Sequence, residues 1–125
     1  MTAAAPATAR LLQAVRAGYG AALLIAPGPV ISAAAGRPAG PRARAVARVL
    51  GARHLLQAAV TSATAPSTES LGIGAAIDLA HAASMACLAI GDRRLRRVTA
   101  PDALVATALA AVGVALARSL LPRPG

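Results

Sequence analysis

Four Ala-rich apolar stretches, each near the length of a bilayer crossing and each closed by proline or glycine, constrain this chain most. They run over about 7–26, 43–65, 70–90 and 101–121. At 1.5 Å rise per residue such stretches give helices ~30 Å long, the thickness of a bilayer's hydrocarbon core. The first is stopped by Pro27-Gly28-Pro29, the second opened by Gly40-Pro41 and closed by Pro66. The third follows the cap-rich Ser67-Thr68-Glu69-Ser70 and ends at Gly91-Asp92, and Pro122 and Pro124 end the fourth. Between the first two, Pro29 to Gly36 reads as a short interfacial helix, with proline in its first turn and glycine at its close. Before the fourth, Thr99 and Asp102 have the spacing of a capping box, with the acid at the positive end of the helix dipole. The pattern predicts an all-α chain: a four-helix transmembrane bundle in a single integral membrane domain, residues 1–125.

Composition supports this and excludes other classes. Hydrophobic residues make up 57% of 125 residues, 37 of them Ala, and one Tyr is the only aromatic residue. A soluble domain of this size leans on several large aromatic side chains and carries about 25% charged residues; here the figure is 14%. The single Cys87 excludes a disulfide framework and reads as a packed small residue. Thirteen Arg, no Lys and four acidic residues give a net charge of +9. Codon bias alone produces much of an Arg-rich, Lys-free composition, so the information lies in where the arginines sit.

They are sorted by side. Four crossings put the 27–44 and 91–98 connections on one face, with Arg37, Arg42, Arg44, Arg93, Arg94, Arg96 and Arg97. The opposite face has Arg10, Arg118 and Arg123, and its 65–70 loop has none. The positive-inside rule then makes the two Arg-rich loops cytoplasmic and puts both termini outside the inner (plasma) membrane. Those seven arginines are expected to contact anionic lipid headgroups. Binding to nucleic acid is not expected: the chain offers neither a polar recognition helix nor aromatic platforms for bases.

Ionisable residues inside a membrane are costly and mark either a structural network or a site. Here they are Arg16, Arg53, His54, Asp78 and His81, with Gln13 and Gln57 nearby. Counting along the helices puts Arg53 and His81 at ~13 Å depth and Arg16 at ~16 Å, in one slab. Asp78 and His81, three apart, share a helix face, as do Arg53 and Gln57 at spacing four. The first expectation is a buried polar network of Arg16, Arg53, His54, Gln57, Asp78 and His81. In it Asp78 neutralises Arg53 or Arg16, the glutamines complete the hydrogen bonds, and helix register is fixed. The alternative use of the same residues is a transport or small-ligand site. His54 and His81, on neighbouring helices, could ligate haem iron or another metal, but two ligands alone do not define such a centre. No metal, cofactor or catalytic residue is expected, and the chain is not read as an enzyme. Small residues (Gly18, Gly20, Ala47, Gly51, Gly74, Gly113) recur where helix backbones would approach closely, within the chain first and in a homo-oligomer second.

The order of features resembles small four-span bacterial membrane proteins, broadly DoxX-like. The resemblance is carried by Arg10-Leu11-Leu12, by Arg16 with Gly18 and Gly20 leading to Ala26-Pro27, and by Leu50-Gly51-Ala52-Arg53-His54-Leu55-Leu56-Gln57. It continues through Ala76-Ile77-Asp78-Leu79-Ala80-His81-Ala82-Ala83-Ser84-Met85 and the Arg-rich turn before Asp102-Ala103. It implies a four-helix integral membrane fold and brings no established reaction. The expected role is a structural or accessory one in the membrane, with a partner protein or a second copy as the open possibilities.

Overall fold

A computed structural model describes residues 4–122; Arg123 and Pro124, used above for side and for helix ending, lie outside the described residues. The described chain is all helical: α1 (Ala4–Ile25), α2 (Pro27–Ala35), α3 (Pro41–Ser62), α4 (Thr68–Gly91) and α5 (Arg96–Ser119). Two helices, α4 and α5, are by themselves long and apolar enough to cross a membrane. A third such segment is formed only if α1 and α2, bent by 105° at Ala26, are taken as one. The remaining long helix, α3, carries Arg42, Arg44, Arg48 and Arg53.

The helix ends follow local chemistry. At α2, Pro27 opens the helix and Gly36 closes it in the left-handed region (φ 66°), donating its N–H to the Ser32 carbonyl. At α4, Ser67 Oγ accepts from the Ser70 N–H, and Ser70 Oγ accepts from the Ser67 N–H, both at 3.0 Å. The expected start of the fourth long helix is corrected: α5 begins at Arg96, and Pro101 lies inside it. The turn is organised earlier, by Asp92, whose Oδ1 accepts from the Arg94 N–H (2.8 Å) and whose carbonyl accepts from the Leu95 and Arg96 N–H groups. Burial of Leu95 and Val98 then fixes the first turn of α5. Thr99 caps nothing; its hydroxyl donates to the Leu95 carbonyl one turn back.

The bundle consists of two closely packed pairs, α1 with α3 and α4 with α5. In the first pair the backbones touch. A Cβ built on Gly20 would stand 2.8 Å from the Gly51 carbonyl oxygen, and one on Gly51 would stand 2.5 Å from that of Gly20. In the second pair Gly113 lies against Ala75, where an added Cβ would meet the Ala75 methyl at 3.3 Å. The small-residue expectation therefore holds at Gly20, Gly51 and Gly113. Gly18 and Gly74 face open space instead. Between the pairs, α4 has almost no close backbone approach to α1 or α3.

Along the long axis the interior has three layers. One end is apolar, with Leu23, Ile31, Leu50, Met85 and Val98, and the other end has Leu12, Leu71, Leu109 and Leu116. The layer between them is polar. The largest fully buried side chains of the described molecule are His54, Thr99, Asp78 and Asp102. Large apolar side chains point outward, including Ile25 (80% exposed), Ile90 (78%) and Leu104 (73%).

Candidate functional site

The middle layer contains two buried carboxylates, each gripped from across the gap between the helix pairs. Asp78 on α4 receives a two-pronged contact from Arg16 on α1: Nη1 to Oδ1 at 2.7 Å and Nη2 to Oδ2 at 2.6 Å. Both side chains are almost wholly enclosed. Gln57 on α3 donates Nε2–H to Asp78 Oδ1 (3.1 Å) and to the Gly74 carbonyl (3.4 Å). Arg53, also on α3, stands further off, with Nη2 at 3.8 Å from Asp78 Oδ1. Parallel N–H···O contacts between fixed planes are the strongest form of ion pair. Enclosure adds to what is lost if either partner is removed, since the survivor keeps its charge away from water.

The network expectation is thus resolved in favour of Arg16 as the principal partner of Asp78, with Arg53 secondary and Gln57 completing the carboxylate. Gln13 does not take part: its Oε1 is buried with no hydrogen-bond partner among the described residues. The Arg53 Nη1 and Nη2 atoms are likewise buried without one.

Asp102 on α5 is the second centre. Residues from the other three long helices converge on it. His54 on α3 places Nε2 at 3.0 Å from Oδ1, His81 on α4 places Nε2 at 2.6 Å from Oδ2, and the Tyr19 hydroxyl on α1 donates to Oδ1 at 3.1 Å. His54 and Asp102 are fully buried, and the His81 side chain is 10% exposed. The rings are set edge to face, Tyr19 on His54 at 5.1 Å and His54 on His81 at 5.8 Å between centroids. This corrects the single network: His81 and Asp78 share a helix, but His81 pairs with Asp102. It also corrects Asp102, which caps no helix and lies fully enclosed at the meeting point of the bundle. Tyr19 is the other residue that the sequence reading did not place in the layer.

Beside the Asp78 centre, a cavity of about 400 Å³ opens between α3 and α4, lined by Arg53, Gln57, Leu56, Val60, Ile73 and Ile77 among others. At the end of the bundle where the 36–40 and 92–95 connections meet, Arg42, Arg93, Arg94 and Arg97 line a shallow hollow of about 430 Å³. Arg42 and Asp92 approach to 3.8 Å across it, an exposed pair of small energetic weight. All seven arginines of the two connections are exposed, Arg37 and Arg44 included. Arg96 uses its Nε–H to close the end of α4, donating to the Ala89 carbonyl at 2.6 Å. Cys87 was expected to be packed, but α4 turns it outward.

Compared with protein-family models, with curated proteins and with solved structures, the chain gives no significant match.

Proposed function

We propose that this chain is a four-span integral membrane protein without catalysis of its own, serving as a structural or accessory component of a cell's inner membrane. The observation that carries the reading is a polar, charged layer in the middle of the interior combined with an apolar outer surface. Charged and polar side chains fill the middle layer of the bundle, while many large apolar side chains, among them Leu11, Ile25, Val49, Leu56, Ile90 and Leu104, face outward. In water that arrangement exposes apolar surface and buries the groups that most need hydration. In a bilayer it is the stable one, because lipid accepts the outer face and charges are tolerated only where they meet one another inside. Two of the four spans, α4 and α5, meet the requirements of length and hydropathy unaided. In the proposal α1 and α3 cross as a pair, joined along Gly20 and Gly51, with Arg16 and Arg53 carried inward toward Asp78. The bend at Ala26 suits α2 to lying along the interface.

Orientation follows from the arginines. The two Arg-rich connections come together at one end, and the proposal makes that end cytoplasmic, against anionic headgroups. Both termini are then outside. The likeness to the small DoxX-like proteins belongs to this proposal through the order of sequence features alone.

The test is whether the expressed protein stays with the membrane pellet through carbonate and high-salt washes. Release by either wash overturns the membrane reading. The structural role has its own test in Asp78→Asn, expected to reduce abundance in the membrane; unchanged abundance and unchanged melting would remove it. One observation favours a second reading, a site for a small anion or transported solute: Arg53 lines the α3–α4 cavity without a full partner for its charge. Uptake or binding that survives Arg53→Gln unchanged would dismiss that reading.

A further inference from the structure

Asp102 and Asp78 are both fully enclosed, yet only Asp78 is matched by arginine. Among the described residues the only basic side chains within ion-pair distance of Asp102 are two histidines. A buried carboxylate needs its charge compensated, and neutral imidazole and phenol donors do this only in part. The arrangement around it has a further property. The ligating atoms of His54, His81 and Asp102 all lie within 4.8 Å of one another. Each imidazole approaches through Nε2, and each takes a different oxygen of the same carboxylate. The three donors come from three helices, so helix packing holds them together.

We propose that His54, His81 and Asp102 form a binding site for one divalent first-row transition-metal ion such as Zn²⁺ or Fe²⁺. Two imidazole nitrogens and a carboxylate oxygen are the donors such ions favour, and three protein ligands leave further positions open. Metal–ligand bonds of about 2.0–2.2 Å put two donors on one ion roughly 3–4 Å apart, within small side-chain shifts of the spacings seen. An ion entering the triad binds the Nε2 lone pair of each neutral imidazole, whose one ring proton is then on Nδ1, and supplies the positive charge that Asp102 lacks. Tyr19 then acts as a positioning residue: its hydroxyl holds Asp102 Oδ1 from outside the triad, the role that outer hydrogen bonds have at metal centres. His54 Nδ1 has no partner among the described residues whether Nε2 faces a proton or an ion, so it does not discriminate between the two states. His81 is the one member of the triad with exposed side-chain surface. The inference rests on the triad's geometry alone and stands whether or not the structural role in the membrane is correct.

The experiment uses the full chain, extracted in mild detergent, stripped with a chelator and titrated with Co²⁺. The readouts are visible d–d absorption and bound metal per chain, with Zn²⁺ and anaerobic Fe²⁺ as competitors. The expected result is one Co²⁺ per chain, displaced by Zn²⁺ or Fe²⁺. His81→Ala and Asp102→Asn should each weaken binding at least tenfold. Tyr19→Phe should weaken it by roughly tenfold while keeping the one-to-one stoichiometry, as for loss of an outer hydrogen bond. Ser84→Ala, at an exposed α4 residue outside both carboxylate centres, should bind as the unaltered chain does. If Asp102→Asn fails to fold, His81→Ala decides, since its side chain is the least enclosed of the three. Folded unaltered protein, checked by circular dichroism, that takes up no Co²⁺ overturns the proposal. So does absorption that persists unchanged in folded His81→Ala.

Discussion

The two buried carboxylates of the middle layer differ in the company they keep. Asp78 is closed by permanent cations and an amide, with Arg16 bidentate at 2.6 and 2.7 Å. Asp102 is held by two imidazoles and a phenol, groups that carry no fixed charge. The first arrangement is built on permanent cations, since a guanidinium keeps its charge in proteins. The second has no permanent cation and presents donor atoms that an ion could share. A fastening is best built the first way, and a site that exchanges something with its surroundings the second.

Substitutions can break or sharpen that contrast. The largest effect is expected from Asp78→Asn, which strands Arg16 in the interior and weakens the hold on Arg53. Breaking one side of a buried pair costs about 3–5 kcal/mol. The thermal melt of the detergent-solubilised protein and its abundance in membranes should both fall. Removing both charges, in the double variant Arg16→Met with Asp78→Leu, should recover most of that loss. If the double variant melts as low as the single one, the cost lies in packing rather than in stranded charge.

Asp102→Asn should cost less, about 1–3 kcal/mol, the range for an unsatisfied buried hydrogen bond, because no permanent cation is left behind. Equal damage from the two Asp→Asn changes, measured by the same melt, would erase the distinction between the centres. Tyr19→Phe removes one 3.1 Å hydrogen bond from Asp102 and nothing from Asp78. Its expected cost is about 1 kcal/mol, a small downward shift of the melting temperature.

Much of the framework was legible in the primary structure. Pro27, Pro41, Pro66 and Gly91 bound the helices to within a few residues, and the depth count brought Arg16, Arg53, Asp78 and His81 into one layer. The partner of Asp78 was not legible: Arg16 and Arg53 lie at similar depth, and only helix neighbours in space separate them. Asp102 was missed for a specific reason. Thr99-Ala100-Pro101-Asp102 fits a helix start in every local respect, so the acid was assigned to a cap. A longer-range signal was present. Val98, Asp102, Ala106, Leu109 and Gly113 follow one another at spacings of four, four, three and four, and all are buried. Extending the apolar stripe of α5 back by one turn puts Asp102 on it. Tyr19 gave no such signal, because its place beside His54 depends on the close contact of α1 with α3.

That close contact has a consequence for assembly. The chain divides at the 63–67 loop into a first half, α1 to α3, and a second half, α4 and α5, each internally joined through small residues. Arg16 and Arg53 of the middle layer belong to the first half; Asp78 and Asp102 both belong to the second. Within the middle layer each half alone carries formal charge of a single sign, and two copies of the same half would set like charges against one another there. The halves are therefore complementary, like the two parts of a split protein. Expressed as separate polypeptides they should persist only together, each one the condition for the other's survival.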